Sequence, residues 1–424
     1  MLCLLLLTFP GLDLRMAVGQ ELSSEELRSN VASLILELDA PKFETRELAS
    51  RSLRELGTKI IPLLAESQKS DSLSAESAKR VDLILNELKT TVFKRLSKSF
   101  LVDRNPENDY DLPAWHAFRE IAGSSRTSKV LFLDVIKKQP DLAMLIDKYF
   151  KSMLDEESGK TGPSPSVHVA ELLSYTANKA QELRPKMIYL DRGRGIGEQV
   201  GLLFAAAVVD AEETLPVEVN LAIHSFSRVS FNSYLNKEGY RDCLRKLLSA
   251  WLPKTHEGMA TDAMFLALSH DLEVVLPIAQ KHLSQNFDVT TREYAFHCVA
   301  KFGDLNDLAT LLPLIEEQTF VEEFNSRTGG IVEHNVAPPG AAPNDNEMAE
   351  EERLQQFVVR IRDLALASCM LLMDEDPRAV FPEYAESDFQ GFFTRQLAVQ
   401  VANIEERDKQ IDAWLDDHGL QIKE

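Results

Sequence analysis

Glycine and proline are scarce in this sequence, at 18 residues each among 424. Both residues interrupt helices, whereas the plentiful Leu, Ala, Glu, Lys and Arg favour helix over strand. The composition therefore predicts an all-α protein. Since 424 residues exceed the roughly 250 to 300 at which one hydrophobic core stops growing, we expect several units or a stack of them.

Cysteine is equally scarce, with four residues in the chain. Beyond Cys3, the chain keeps Cys243, Cys298 and Cys369, an odd number spaced far apart. This excludes a disulfide framework. Each of the three lies among apolar neighbours, where a thiol packs as a small hydrophobic group. We predict that all three belong to the core.

Basic residues are outnumbered, because 46 Lys and Arg face 67 Asp and Glu and give a formal charge of −21. A field of this sign repels nucleic-acid phosphates and anionic lipid headgroups. Nucleic acid is therefore not an expected partner. Two interpretations of the acidity stay open, a soluble extended surface and recruitment of a basic protein or of cations.

The first residues lack a basic side chain but otherwise have the features of a secretory signal. Residues 2–9 form an apolar run too short to span a bilayer, and small residues follow at Ala17 and Gly19. We predict that residues 1–19 are a signal peptide and that the protein is exported to the periplasm or beyond. The missing basic residue leaves open a translation start further upstream or a segment of another kind.

Motifs that would declare nucleotide binding are incomplete. Residues 193–197 contain three glycines after a strand-like Met187–Leu190, but the phosphate-binding fingerprint requires its third glycine at Glu198. We interpret this segment as a glycine-rich entry to a packed helix. Gly159-Lys160-Thr161 imitates the end of a P-loop, although its first glycine is replaced by Leu154 and prolines follow.

Metal and hydrolase motifs are also missing. The nine histidines never lie three or four residues apart, no Cys-x-x-Cys occurs, and no Gly-x-Ser-x-Gly elbow is present. The acidic cluster Asp374–Asp376 and the pair Asp345 and Glu347 leave weak cation binding open. The sequence thus predicts no catalytic, cofactor-binding or metal-ligating residues, and no cofactor. A triad built from distant residues stays open.

What the sequence does contain is an internal repeat. Each copy has a first helical stretch with a basic residue and a small residue, a break, and a second apolar stretch, which predicts a helical hairpin. Gly57 and Gly303 could end helices in the left-handed conformation. The recurring Arg46, Arg292 and Arg362 are expected to pair with neighbouring carboxylates or to pack their stems. The copies cover residues 43–64, 291–315, 361–382 and, more weakly, 263–278.

These hairpins resemble the HEAT repeat family, in particular the HEAT-like modules of exported bacterial proteins of unknown function. Residues 115–119, 200–206 and 362–367 extend the likeness. The resemblance implies an all-α fold in which degenerate hairpins stack as an α-solenoid, and it supplies no activity. Extended surfaces of such stacks are able to hold another protein.

The pattern divides the chain into seven parts. Ser23 and Glu26 form a capping box that should open the first mature helix, and the last helix, 403–418, should end at Gly419. Seven segments are predicted: a signal peptide at 1–19, a HEAT-like hairpin region at 20–98, a helical segment at 105–153, a linker at 154–166, a HEAT-like array at 167–320, an acidic Gly/Pro-containing mobile insert at 325–352 and a C-terminal hairpin with capping helices at 353–424.

Two functional hypotheses follow. The first is an exported scaffold or protein-binding module without enzymatic activity, whose partner is a protein. The second is an enzyme or enzyme subunit whose site is assembled from dispersed residues on the helical framework. It predicts convergent ionisable groups with perturbed pKa values.

Overall fold

Helices dominate the chain, as predicted, in a computed structural model of the protein. The structure describes residues 23–69, 73–105, 108, 110, 112–160, 163–185, 196–210, 213–227, 231–284, 288–326, 355–387 and 391–420. The predicted signal peptide lies outside these residues, and so does most of the predicted insert. The chain forms two compact units, Met1–Asn105 and Pro106–Glu424.

The first unit is a group of four helices that bury one apolar side each. Ser23 opens it as predicted: its hydroxyl accepts a hydrogen bond from the Glu26 amide, and the Glu26 carboxylate accepts one from the Ser23 amide. Val31, Leu53 and Leu85 are core residues contributed by three different helices. The four helices are α1 (Ser24–Glu37), α2 (Phe43–Leu56), α3 (Ile61–Gln68) and α4 (Ala75–Val102).

The second unit begins with eight helices, one of which is buried among the others. They are α5 (Trp115–Ala122), α6 (Arg126–Lys138), α7 (Pro140–Glu157), α8 (Pro165–Leu183), α9 (Gly197–Val208), α10 (Val217–Phe226), α11 (Asn232–Leu235) and α12 (Tyr240–Trp251). Every residue of α9 except Glu198 is buried, because α5, α6, α7, α8, α10 and α12 all pack against it. A helix that is apolar on all sides belongs in an interior, and α9 has that composition.

Four helices continue the unit. They consist of α13 (Ala260–His270), α14 (Leu276–Ser284), α15 (Val289–Phe302) and the short α16 (Leu308–Leu311), which runs into a 3-10 turn at Leu312–Glu316. Helices α13, α14 and α15 pack against one another, and α14 also contacts α16. The fourth predicted repeat copy thus falls on the helices α13 and α14, whereas in the second copy α15 packs against α13, α14 and the later helix Ile361–Leu372 and the second helix has only four residues.

Strands interrupt the helices near the C-terminus, which the sequence analysis did not predict. Strands β1 (Phe320–Ser326) and β2 (Gln355–Arg360) pair antiparallel on either side of the predicted insert, and β5 (Val399–Gln400) pairs with the other edge of β2. Strands β3 (Glu386–Ser387) and β4 (Gly391–Phe392) form a separate small hairpin. Helices α17 (Ile361–Leu372) and α18 (Ile404–Asp417) complete the unit.

Two details of the predicted repeats are wrong. In the copy at 361–382 only the first helix forms, because Pro377 starts a 3-10 turn of three residues and Pro382 follows it. Gly303 is not left-handed, since its φ is −75°. Glycine is needed there for space, because a Cβ would lie 2.5 Å from the Val299 carbonyl oxygen. Gly57 and Gly419 do adopt the left-handed region, with φ of 72° and 61°.

Candidate functional site

The recurring arginines of the repeats bind groups of their own chain. Arg292 donates to both carboxylate oxygens of Glu317 at 2.6 Å each. Arg362 donates to Asp408 at 2.8 Å and to Asp412 at 3.3 Å. These two pairs confirm the predicted role. Arg46 differs, because its Nη1 donates to the backbone carbonyls of residues 40 and 41.

A buried ion-pair network surrounds the start of α17. Arg360 donates to Asp363 through Nε at 3.2 Å and to Asp408 through Nη1 at 2.8 Å, and Arg360 and Asp363 are both fully buried. Burial works against the charged form, but the two carboxylates outweigh it and raise the pKa of Arg360. With Arg362 on the same Asp408, the network ties β2 and α17 to α18. Its role is to hold these elements together.

The N-terminus of α9, which follows the glycine-rich segment, contacts a carboxylate. The Gly197 amide donates to Asp134 Oδ2 at 2.7 Å, and a Cβ at Gly197 would lie 2.5 Å from the Asp134 carbonyl oxygen. The helix N-terminus is thus occupied by a negative side chain of α6, where a bound phosphate would otherwise rest. The interpretation as an entry to a packed helix is confirmed. Met187–Leu190, Gly193 and Gly195 lie outside the described residues.

The opposite end of α9 meets a lysine. Lys254 donates from Nζ to the carbonyl oxygens of Ala207, at 2.6 Å, and Val209. Burial lowers the pKa of this ammonium to about 8, with Asp210 opposing the shift. Nearby, burial raises the pKa of Tyr149 to about 12. A carboxylate at the N-terminus and an ammonium at the C-terminus of α9 both complement the helix dipole, so these charges stabilise the central helix.

The remaining sequence motifs have structural roles. Gly159 has a φ of 70° just after α7, and Lys160 pairs with Asp155 at 3.2 Å, while Thr161 lies outside the described residues. In the acidic cluster, Glu375 accepts hydrogen bonds from the Trp414 indole at 2.7 Å and the His418 imidazole at 2.5 Å. Asp345 and Glu347 are not among the described residues.

One cluster joins a hydroxyl, an imidazole and a carboxylate. His297 Nε2 lies 3.1 Å from Thr394 Oγ1, which in turn donates to Glu293 at 2.5 Å. Burial raises the pKa of Glu293, but the hydrogen bond from Thr394 and the proximity of His297 outweigh it, so the net shift is downward. In a hydrolytic triad the imidazole lies between the other two groups and accepts the hydroxyl proton. Here the Thr394 hydroxyl donates its hydrogen bond to Glu293, and this contact joins α15 to the segment after β4.

The thiols and the search for metal ligands add no reactive centre in the part of the chain that the structure describes. Cys243, Cys298 and Cys369 are buried as predicted, and burial raises the pKa of Cys243 to about 11 and of Cys369 to about 12. Within the described ranges, no group of three His, Cys, Asp or Glu side chains is placed to hold a metal ion. The helices of those ranges include none that is long and apolar enough to cross a membrane.

Two outer helix faces carry exposed charges of opposite sign. Lys94, Arg95 and Lys98 lie three and four residues apart on α4, and none of them has an ion pair with another described residue. On α18, Glu405 and Asp416 are likewise exposed and unpaired among the described residues. These faces are the candidate functional surfaces, because their charges are exposed and unpaired in the part of the chain that the structure describes.

The sequence analysis did not identify Asp134 and Lys254, which contact the two ends of α9, and it did not identify the basic face of α4. Asp134 and Lys254 lie 63 and about 46 residues from their contacts along the chain, so no local motif marks them. The basic face could have been found as a run of cations without acidic residues. Neither a scan against protein-family models nor searches of curated proteins and solved structures find a match to this chain.

Proposed function

We propose that this protein is an exported scaffold of HEAT-like helical hairpins, stacked as an α-solenoid, that binds another protein on the outer faces of its helices. One observation carries the proposal. Arg292 and Arg362, which recur in the predicted repeats, pair with internal carboxylates. By contrast, Lys94, Arg95 and Lys98 on α4 and Glu405 and Asp416 on α18 are exposed and have no ion pair with another described residue. Internal charges that hold hairpins together and external ones left for contact are what a binding framework requires.

The packing of the second unit supports the stacked arrangement. Helices α13 and α14 both pack against α15, and α14 also contacts α16, so these helices cover apolar surface that none of them could bury alone. The small residues Ala263 and Ala295 are fully buried and allow close approach of the helices. These contacts are local, as expected for units that interact with their neighbours in the chain.

Export is tested by mass spectrometry of the mature N-terminus. We expect a chain that begins at Gln20, because the small residues before it suit a signal peptidase. An intact Met1 on the protein recovered from its native host would contradict export and would make residues 1–19 part of the mature protein.

Protein binding is tested by affinity purification from the envelope fraction, followed by titration calorimetry with the purified partner. We expect one partner to be recovered reproducibly and to bind the isolated protein with a salt-dependent affinity, because exposed charges contribute. If no protein is recovered repeatedly, or if the recovered protein does not bind when purified, the scaffold hypothesis fails. A matched control is the same purification with an unrelated acidic helical bait.

A further inference from the structure

The net charge of the chain is confined to one of its two units. Residues 1–105 contain 15 acidic and 15 basic side chains, so the whole excess of −21 belongs to residues 106–424. The first unit can therefore approach an acidic surface without the repulsion that the second unit would exert.

The basic face of α4 lies in its second half. Between Glu87 and Asp103 the sequence has four cations, Lys89, Lys94, Arg95 and Lys98, and no acidic residue. Lys94 and Arg95 lie four and three residues from Lys98, so the three share one side of the helix and repel one another. All four side chains are exposed.

Neither local pairing nor the helix dipole accounts for this face. In the first half of α4, Arg80 pairs with Glu76 at 2.6 Å and Glu47 at 2.7 Å, and Arg54 pairs with Glu87 at 2.6 Å. The second half has no such carboxylates. Favourable interaction of cations with the dipole is limited to the last turn, and the last turn of α4 contains no basic residue. The repulsion among these cations thus stays uncompensated by the described residues.

The outer face of α18 carries the complementary charge. Glu405, Glu406, Asp416 and Asp417 are exposed, and Lys409 is the one cation among them. The inner side of this helix is buried through Ile411, Trp414 and Leu415. The carboxylates therefore point away from the second unit.

We propose that the basic face of α4 in one copy of this chain binds the acidic face of α18 in a second copy. Lys94 and Lys98 are about 6 Å apart along their helix, so the basic face covers about one turn of the acidic face, whose Glu405 and Asp416 are about 16 Å apart. Since the two surfaces are different, the contact is heterologous and links copies head to tail. This inference goes beyond the binding of another protein, because it joins identical chains.

A second copy fits this face better than a membrane surface does. Helices that lie on membranes insert large apolar side chains beside their cations. On α4, Phe100 is buried and Phe93 is half-buried, and the exposed apolar side chains beside the cations are Val92 and Val102, which are smaller than the Trp, Phe and Leu side chains of membrane-surface helices. Exposed ion pairs are individually weak, and the Debye length is about 8 Å at physiological ionic strength, so the association is weak and salt-sensitive.

The contact is tested by zero-length carbodiimide cross-linking, which joins lysine amines to carboxylates in direct contact. Equal amounts of the ¹⁴N-labelled and ¹⁵N-labelled full chain are mixed at low salt and analysed by mass spectrometry. We expect mixed-isotope cross-links between Lys94 or Lys98 and the acidic residues of α18, and their loss at about 0.5 M salt. If all cross-links of these lysines join peptides of a single isotope, the proposal is overturned.

A charge swap tests the same contact by sedimentation velocity. The variant Lys94→Glu with Lys98→Glu should weaken association at least tenfold, and so should Glu405→Lys with Asp416→Lys, whereas mixing the two variants should restore it. The control Lys42→Glu with Lys59→Glu changes exposed cations elsewhere on the first unit and should leave association unchanged. Equal loss in the control, no restoration on mixing, or binding of α4 to phosphatidylglycerol vesicles without self-association would refute the proposal. Self-association and binding of a different protein would use the same charged faces, so calorimetry with the purified partner is carried out separately and distinguishes failure of one from failure of the other.

Discussion

Arg292 on α15 holds the carboxylate of Glu317 with two hydrogen bonds of 2.6 Å each, from a position that is 4% exposed. Glu317 lies between the 3-10 turn at Leu312–Glu316 and β1, so this ion pair anchors the segment that connects the helices to the sheet. The pKa of Glu317 is lowered by Arg292, which shows that the carboxylate is held in its charged form.

Glu317→Gln should destabilise the second unit by about 2 kcal/mol, because a buried guanidinium loses its counter-charge. The midpoint of urea unfolding measures this change through tryptophan fluorescence. All three tryptophans, Trp115, Trp251 and Trp414, belong to the second unit and report on it alone.

The matched control for this pair is Glu322→Gln. Glu322 pairs with Arg395 at 2.6 Å, but the Arg395 side chain is 69% exposed, so we expect a change of less than about 1 kcal/mol. Equal effects of the two substitutions would mean that burial of Arg292 does not strengthen its ion pair.

Gly197→Ala should destabilise the second unit by about 1 to 3 kcal/mol, since the new Cβ would overlap the backbone of Asp134 and displace α9 from α6. The same fluorescence measurement applies. Gly258→Ala is the control, because a Cβ there would be 3.4 Å from the nearest atom, an ordinary contact. An unchanged unfolding midpoint for Gly197→Ala would contradict the close approach of the two helices.

Lys254 should make the second unit more stable as the pH rises above 8. Its pKa is about 8 in the folded protein and near 10.5 when unfolded, so the unfolded state binds more protons between these values. The free energy of unfolding should rise by on the order of 1 kcal/mol from pH 8 to 9.5, after allowance for partial exposure. Lys254→Met should abolish this rise and Lys246→Met, at an exposed position, should not. A flat profile in the unchanged protein would contradict the lowered pKa.

His418 should stabilise the end of α18 more at acidic pH than at basic pH. Its Nδ1 lies 2.7 Å from the Trp414 carbonyl oxygen and its Nε2 2.5 Å from Glu375, so both nitrogens face acceptors. The Trp414 carbonyl, Glu375 and Asp417 raise the pKa of His418. A raised folded pKa adds stability that is present below the unfolded value of about 6.5 and is lost as the pH rises through the folded value.

The neighbouring Trp414 provides the readout for His418. The ring centroids of the two residues are 4.4 Å apart, and an imidazolium quenches indole fluorescence at contact, so emission should increase as the histidine loses its proton. His418→Gln should remove this transition. A midpoint at or below 6.5 in the unchanged protein would show that the contacts do not favour the charged imidazole.

Local signals predicted the helices well. The predicted capping box of Ser23 and Glu26 opens α1, and Ser125 before α6 and Gly123 after α5 are further local signals that coincide with helix ends. The predicted linker at 154–166 was too long by a few residues at its start, since α7 continues to Glu157.

Long-range contacts account for what sequence reasoning missed. Strand β1 is stabilised by pairing with β2 across residues 327–354, and its own seven residues give little alternation. The charged residues at the two ends of α9 are Asp134 on α6 and Lys254 in the turn after α12. Both are distant in the sequence from α9, so their roles depend on the folded arrangement. Arg292 and Arg362 were interpreted correctly because carboxylate partners could be anticipated from charge alone, although Glu317, Asp408 and Asp412 could not be identified, and Arg46 instead binds backbone carbonyls.

The central claim, an exported scaffold that binds another protein, is tested most directly by chemical cross-linking in intact cells followed by mass spectrometry. The account predicts reproducible cross-links from exposed lysines on outer helix faces to one envelope protein, on a chain whose N-terminus is Gln20. Cross-links confined to cytoplasmic proteins, on a chain that keeps Met1, would contradict it.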